Sequence, residues 1–194
     1  TWNDLYEACR KVTDPGAGTY GIQFGRGRHE SWHWVTFLWS AGGEVMAYDE
    51  ATDTWSAAFN SPAAAKALDF YTRLCTEPWT DTNGRTRYGY AVKDAAQIGQ
   101  KWALGQIAFM TSYIDEQLFS TINPDTTGMV PVPLGPDGRR GAELNSRMQG
   151  IFAGVDDPVI RDAAGEYLRF GGSRDAAEIN ARVMRQYMKA ALGC

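Results

Sequence analysis

The sequence lacks the features of a membrane-spanning or nucleic-acid-binding protein. Its 194 residues contain no apolar run of about 18 residues, the length at which a transmembrane helix is predicted. The formal net charge is −4 and the isoelectric point is about 5.2, whereas a general nucleic-acid binder needs a basic face. The chain starts at Thr1-Trp2 rather than at a methionine, so we expect a processed form or an excised part of a longer protein.

Histidine and cysteine are scarce, which limits metal and redox chemistry. The two histidines are His29 and His33, and the spacing of the three cysteines, Cys9, Cys75 and Cys194, fits no zinc knuckle. A nucleophile elbow, a phosphate loop and a dinucleotide-binding glycine pattern are also missing. Cys9 and Cys75 lie on apolar helical stripes and are predicted to be core thiols, with a disulfide between them as the open alternative.

Aromatic residues, by contrast, are abundant. They make up 12% of the chain, and hydrophobic residues as a whole make up 44%, enough for the core of one ordinary domain or a small pair of domains. Some of the rings could fill that core. Others could present flat surfaces on which the C–H face of a sugar stacks, and the sequence leaves both interpretations open.

Helical and strand periodicities alternate along the chain and predict an α/β fold. Residues 32–44, WHWVTFLWSAGGE, predict a core-facing helix that ends at Gly42-Gly43, because glycine readily takes the left-handed backbone that closes a helix. Residues 44–59 are predicted to form a β-hairpin and residues 78–90 a polar loop. The other predicted helices are 1–12, 62–76, 92–104, 113–122, 157–170 and 173–192, and the predicted strands are 20–24, 107–110 and 150–155. The apolar face of the helix at 62–76 is predicted at Ala64, Leu68, Tyr71, Leu74 and Cys75.

Polar and aromatic residues follow two of the predicted strands. The strand at 20–24 leads into Arg26, Trp32 and His33, and the strand at 107–110 leads into Tyr113 and Asp115. Ligands of open α/β sheets bind beyond the carboxyl ends of the strands, so both sets meet at one edge if the strands are parallel neighbours. Rings, hydroxyls, a carboxylate and an arginine suit a sugar, and we predict that these five residues bind ligand. The alternative is that Trp32 and Tyr113 are the last core residues of their elements.

Residues 29–33, HESWH, match the pattern H-E-x-x-H, in which two histidines one helical turn apart bind zinc and the glutamate acts as a base. Zinc hydrolases carry this pattern inside a long helix. Here Gly25 and Gly27 lie just upstream, and the helix is predicted to begin near Glu30, with the residues before it in a loop. A third ligand would have to be a carboxylate such as Glu50, so a zinc-dependent hydrolase is the alternative function.

Four stretches occur in the order and spacing of a known family. They are TWNDLYEACRKVTDP at 1–15, FLWSAGGE at 37–44, FNSPAAAKALDFYTRL at 59–74, and ALGQIAFM followed by VPVPLGPDG between residues 103 and 138. Together they resemble the extracellular solute-binding proteins of family 1, the maltose-binding-protein-like sugar-binding components of ABC importers. The resemblance covers nearly the whole chain.

The resemblance implies one lobe of a periplasmic-binding-protein type II fold, the two-lobed Venus flytrap, with a mixed sheet flanked by helices. Residues 1–138 look like the second lobe, and residues 139–194 look like the segment of strand and helices that crosses back to the first. Family members use aromatic residues as sugar platforms, and Trp32 and Tyr113 fall at or near such positions. Family members are much longer, so we expect a fragment whose half-cleft binds ligand weakly.

The resemblance therefore implies extracytoplasmic binding of a sugar or oligosaccharide for delivery to the membrane permease of an ABC transporter. The expected partners are a small carbohydrate and that permease, and the expected location is the periplasm or, through a lipid anchor, the cell surface. We predict no catalytic residue, cofactor or metal. The alternatives are the zinc hydrolase and a purely structural domain with buried aromatic residues.

Overall fold

The computed structural model describes residues 1–24, 28–92, 95–112, 122–123, 125–143 and 148–192. The chain divides into two units, one formed by Thr1–Ser112 and Pro131–Glu143 and the other by Tyr113–Val130 and Leu144–Cys194. We refer to them as unit 1 and unit 2. Across the described ranges, none of the helices has the length and apolar character needed to cross a membrane.

Unit 1 begins with helix α1, Trp2–Val12, as predicted. The hydroxyl of Thr1 accepts a hydrogen bond from the backbone nitrogen of Asp4, and the Asp4 carboxylate accepts one from the backbone nitrogen of Thr1. This reciprocal capping box satisfies donors that the first helical turn leaves unpaired. The helix buries Trp2 and Cys9, and the Trp2 ring stacks on Phe70 with 4.6 Å between ring centroids.

A short parallel sheet lies at the centre of unit 1. Strand β1, Tyr20–Gln23, pairs in parallel with strand β6, Ile107–Met110, which puts Ile22 opposite Phe109. Ile22 also forms a parallel bridge with Ala91, so β1 has a neighbour on each side. Both strands were predicted, but β6 is less buried than its apolar sequence indicates. β1 is the only strand neighbour of β6 among the described residues.

Helix α2, Arg28–Ser40, buries Phe37 and Leu38 and ends as predicted. Gly42 has a φ of 77°, in the left-handed region that favours glycine, and the nitrogen of Gly43 donates to the carbonyl of Leu38. The start of the helix differs from the prediction. It begins at Arg28, because Arg28, Glu30 and their neighbours tolerate helical backbone once the glycine-rich stretch ends. Trp32 and His33 therefore lie within the helix.

Helix α3, Pro62–Thr76, begins where predicted, with the Ser61 hydroxyl accepting from the nitrogen of Ala64 at 3.2 Å. Its buried face includes Ala67, Phe70 and Leu74. Leu68, predicted to lie on that face, is 55% exposed. One residue along a helix is a turn of about 100°, so burial of Ala67 carries its neighbour away from the core.

Two antiparallel hairpins complete the strands of unit 1. The predicted hairpin consists of β2, Met46–Asp49, and β3, Thr54–Ala57, with Tyr48 opposite Trp55. The second consists of β4, Pro78–Thr80, and β5, Thr86–Tyr88, where a polar loop was predicted. That prediction is wrong because Asp81 organises a turn that polarity alone does not reveal. Its carboxylate accepts from the backbone nitrogens of Asn83 and Arg85 at 2.9 Å and from the guanidinium of Arg87 at 2.8 Å.

The helix predicted over 92–104 is shorter than expected. Val92 belongs to the sheet, since its backbone nitrogen donates to the carbonyl of Ile22 at 3.0 Å. A 3₁₀ turn at Ala95–Gln97 leads into helix α4, Ile98–Ala103. Pairing with β1 takes the first residues of this segment out of the helix.

Unit 2 contains helices α5, Pro158–Gly171, and α6, Arg174–Leu192, both as predicted. The Asp157 carboxylate caps α5 by accepting from the nitrogen of Val159 at 2.9 Å. The strand predicted at 150–155 is wrong: these residues form no strand, and the nitrogen of Val155 donates to the carbonyl of Phe152 in a turn. An apolar run needs a pairing partner to become a strand, and no other described segment pairs with this one. Most of the helix predicted at 113–122 falls outside the described residues.

Cys9 is buried and Cys75 is half-buried, and no disulfide joins them, so the disulfide alternative does not hold in this structure. Burial raises the pKa of the Cys9 thiol to about 12. Cys194 lies outside the described residues.

Candidate functional site

Three backbone segments end along the same edge of the sheet in unit 1. β1 and β6 run parallel, with Gln23 opposite Met110, and the bridge at Ala91 adds a third parallel segment beside β1. The sequence-based premise that strands 20–24 and 107–110 are parallel neighbours is therefore confirmed. Side chains that follow these ends are positioned where open α/β sheets bind their ligands.

A hydrogen bond joins helix α2 to the chain beyond β6. His33 Nδ1 and Thr111 Oγ1 lie 2.9 Å apart, and both side chains are half-buried. Thr111 is the first residue after the strand, so this contact fixes the orientation of the imidazole at the edge of the sheet. An imidazole and a hydroxyl held in this way offer donors and acceptors to a polyhydroxylated ligand.

Trp32 precedes His33 on α2 and is 47% exposed. Trp32 is thus not a core residue, and about half of its surface is accessible to solvent. Sugar binding needs an accessible ring together with fixed polar groups, since the ring packs against C–H groups while the polar groups hold hydroxyls, and helix α2 carries one of each at consecutive positions.

The other predicted site residues cannot be placed. Arg26, Tyr113 and Asp115 fall outside the described residues, and the side chains of Arg28, His29 and Glu30 are not described either. Of the five predicted ligand-binding residues, the structure therefore positions Trp32 and His33. The roles of all five remain predictions.

Thr111 is a candidate that sequence reasoning missed. The residues singled out after β6 were Tyr113 and Asp115, although Thr111 comes directly after the strand. The available signal was its position: the first hydroxyl beyond the carboxyl end of a parallel strand faces the edge where ligands bind.

A groove of about 420 Å³ runs between α2 and α3 and was also not predicted. Its lining carries no charged side chain and consists of Ser31, Trp34, Leu68, Tyr71, Thr72 and Cys75. The indole nitrogen of Trp34 has no hydrogen-bond partner in the described part of the chain, but it is fully enclosed. Because a ligand atom could not reach that nitrogen without moving its neighbours, we assign the groove no role.

A family model described as bacterial extracellular solute-binding protein matches residues 1–178. The chain belongs to this family. The predicted family resemblance is thereby confirmed.

Two solved structures of solute-binding proteins share the fold over the whole chain. One is the maltose-bound MalE3 protein of T. maritima, 21% identical with a TM-score of 0.58. The other is an ABC transporter solute-binding protein of Agrobacterium radiobacter K84 in complex with ribitol, 19% identical with a TM-score of 0.56. The predicted fold class, an α/β lobe of the periplasmic-binding-protein type II fold, is confirmed. No curated protein matches the chain significantly.

The chain spans about half of these solute-binding proteins. All of it is covered in both comparisons, but it accounts for 46% of the T. maritima chain and 45% of the A. radiobacter chain. The match is thus to a part of a larger fold.

The zinc hydrolase alternative finds no support in these findings. The family and both structural neighbours are solute-binding proteins. In the described ranges no three His, Cys, Asp or Glu side chains are grouped as metal ligands. The side chains of His29 and Glu30 lie outside those ranges.

Proposed function

We propose that this chain is part of an extracytoplasmic solute-binding protein that binds a sugar or oligosaccharide and delivers it to the permease of an ABC transporter. Membership of the solute-binding family supports the general function. The accessible indole of Trp32, one position before His33 of the His33–Thr111 pair on helix α2, is the observation that carries the carbohydrate assignment. The neighbouring structures contain a sugar in one case and a sugar alcohol in the other, which fits a polyhydroxylated ligand.

In this proposal Trp32 stacks on a sugar ring, while His33 and Thr111 bond to its hydroxyls. Stacking takes advantage of the apolar C–H face of the ring, and the hydrogen bonds fix its orientation. Arg26, Tyr113 and Asp115 are proposed as further ligand contacts on the strength of their sequence positions alone.

Residues 1–138 are proposed to form the second lobe of the binding protein and residues 139–194 the segment that crosses to the first lobe. The chain accounts for about half of each neighbouring structure, as one lobe with a connecting segment would, and the choice of the second lobe rests on the sequence resemblance. Because closure of two lobes supplies the opposing wall of the cleft, the chain alone should bind ligand weakly. The proposed location is the periplasm, or the cell surface if a lipid anchor is present.

The proposal is tested by calorimetric titration of the full-length protein with maltose, other oligosaccharides and ribitol. We expect one of these ligands to bind, and Trp32→Ala to weaken its affinity about tenfold, an effect of about 1.4 kcal/mol. Trp55→Ala, which removes an exposed indole from the β2–β3 hairpin, is the matched control and should leave the affinity unchanged. Binding of a peptide or a metal ion in place of every carbohydrate would contradict the proposal.

A further inference from the structure

The β2–β3 hairpin presents a cluster of large apolar side chains to solvent. Met46, Tyr48, Trp55 and, just beyond the hairpin, Phe59 are all exposed, and Trp55 is 64% exposed. The Tyr48 and Trp55 rings lie 5.0 Å apart at an angle of 37°. Exposed apolar clusters of this kind mark interaction surfaces more often than isolated exposed residues do.

The strand register gathers three of these side chains, Met46, Tyr48 and Trp55, together with Ala57 on one face of the hairpin. Tyr48 pairs with Trp55, and Met46, two residues before Tyr48, pairs with Ala57. Since side chains alternate between faces along a strand, all four belong to the same face. The apolar face is therefore a continuous strip, held in register by the backbone pairing.

The stretch of sequence that carries this strip has charged residues of one sign. Residues 44–65 contain Glu44, Asp49, Glu50 and Asp53 and no lysine, arginine or histidine. Asp49 accepts a hydrogen bond from the nitrogen of Ala51 at 2.9 Å, and Asp53 accepts one from the Tyr48 hydroxyl at 2.6 Å. These bonds stiffen the turn, and the second fixes the Asp53 carboxylate against the Tyr48 ring of the aromatic pair. Such a rigid surface loses little entropy when a partner binds.

We propose that this hairpin is a docking surface for a protein whose own surface carries arginine or lysine around an apolar spot. Tryptophan is the best ring for a cation–π contact, and Trp, Tyr and Arg dominate the energetics of interfaces. The carboxylates complement a basic partner and steer its approach. They disfavour an anionic membrane and a second copy of this chain, which would bring like charges together. No residue of the hairpin belongs to the proposed sugar site, so the two proposals stand or fall separately.

The test uses the full-length protein and a blocked synthetic peptide built from arginine-leucine-leucine-arginine repeats, with glutamate in place of arginine in the matched peptide. Calorimetry should detect binding of the arginine peptide only, with an affinity that falls as salt is raised. Trp55→Thr, which keeps a good strand former, should weaken binding about tenfold, whereas Trp55→Phe should keep most of the affinity. Glu50→Lys, at the exposed turn, should weaken binding several-fold.

Two matched variants separate the hairpin from general effects. Tyr88→Thr removes an exposed ring from the other hairpin, and Asp137→Lys reverses a charge on another exposed turn with the same change in net charge. Both should bind the peptide like the unaltered protein, and no variant of this set should change sugar affinity. Failure of the arginine peptide to bind, or equal losses in Asp137→Lys and Glu50→Lys, would overturn the proposal. So would self-association, or binding to phosphatidylglycerol vesicles, that disappears in Trp55→Thr.

Discussion

Unit 1 has a core built around a cluster of aromatic side chains, whereas helix α5 of unit 2 leaves its aromatic side chains in solvent. Phe37 of unit 1 is fully buried and lies against the rings of Trp2, Phe70 and Tyr71, with centroid distances of 5.9, 5.5 and 6.0 Å. In unit 2, Val159, Ile160, Tyr167 and Phe170 of α5 are all exposed. Ala176 is the only buried hydrophobic residue among the described residues of unit 2.

This difference shows that an amphipathic pattern predicts a helix but does not predict which surface covers its apolar face. α3 of unit 1 and α5 of unit 2 both carry apolar stripes at helical spacing, and both sequences form the helices that the stripes predict. A stripe needs a surface that covers it, and the pattern does not say where that surface comes from. The proposed lobe assignment supplies one, since residues 139–194 would pack on a first lobe that this chain does not contain.

The largest expected difference in the free energy of unfolding is between a phenylalanine-to-alanine substitution in unit 1 and the same substitution in unit 2. Phe37→Ala should lower the free energy of unfolding by about 3–5 kcal/mol, because it empties a site enclosed by aromatic rings. Phe152→Ala removes a side chain that is 78% exposed and should change that free energy by about 0.5 kcal/mol or less. Urea unfolding of the 194-residue chain, followed by near-ultraviolet circular dichroism, measures both. If both variants lost a similar amount of unfolding free energy, the proposed difference in packing between the two units would be wrong.

A second experiment asks whether the exposed face of α5 is covered in the full-length protein. Phe170→Ser should cost about 1.5–3 kcal/mol there if the ring is buried against the first lobe, and much less in the 194-residue chain. Asp162→Ser, an exposed change on the same helix, should have little effect in either protein. Equal and small effects of Phe170→Ser in both would contradict the lobe assignment.

Glycine substitutions compare the tightness of packing in the two units. A Cβ added at Gly21 would lie 2.5 Å from the Cα of Cys9, so Gly21→Ala should destabilise unit 1 by about 1–3 kcal/mol through overpacking. A Cβ at Gly171, the last residue of α5, would meet no atom within 4 Å. Gly171→Ala should therefore be neutral or stabilise the helix by up to about 1 kcal/mol. Thermal unfolding of the two variants distinguishes these outcomes.

Local signals in the sequence predict most of this fold. The capping residues Thr1, Ser61 and Asp157 mark three helix starts, and the glycine pair after Ala41 marks a helix end. Each signal works because the hydrogen bonds it makes lie within a few residues. The parallel pairing of β1 with β6 is the condition on which the predicted shared edge depends, and the structure meets that condition.

The sequence-based predictions fail where burial, strand pairing or a side-chain contact depends on residues far apart in the chain. Burial of Leu68 depends on which side of α3 meets the core, and Val92 joins the sheet because β1 is there to pair with it. At the candidate site, the sequence indicated Trp32 and His33 but not the bond from His33 to Thr111. That bond joins residues 78 positions apart, and only the folded sheet edge brings them together.

The smallest expected effect is electrostatic and concerns the β4–β5 hairpin. The pKa of Asp81 is held below its ordinary value, first by the hydrogen bond from the backbone of Arg85 and then by the Arg87 guanidinium. A carboxyl group with a lowered pKa in the folded state stabilises that state above its ordinary pKa, near 3.8, and loses this contribution as the pH falls through its folded value. Trp79 reports on the hairpin, because its indole nitrogen donates to the carbonyl of Gly89 at 3.0 Å.

We therefore expect acid to loosen this hairpin before the core of unit 1 unfolds, and Asp81→Asn to abolish that early step. Amide exchange of Arg85 and the Trp79 indole signal, followed by NMR as the pH falls from neutral, measure this early step.

In unit 2, Glu166 and Arg169 form an exposed ion pair three residues apart on α5. Glu166→Gln should change stability at neutral pH by less than about 0.5 kcal/mol, since exposed pairs contribute little. If Glu166→Gln lowered stability at neutral pH more than Asp81→Asn does, the electrostatic contribution would be larger in unit 2 than in unit 1, contrary to this prediction.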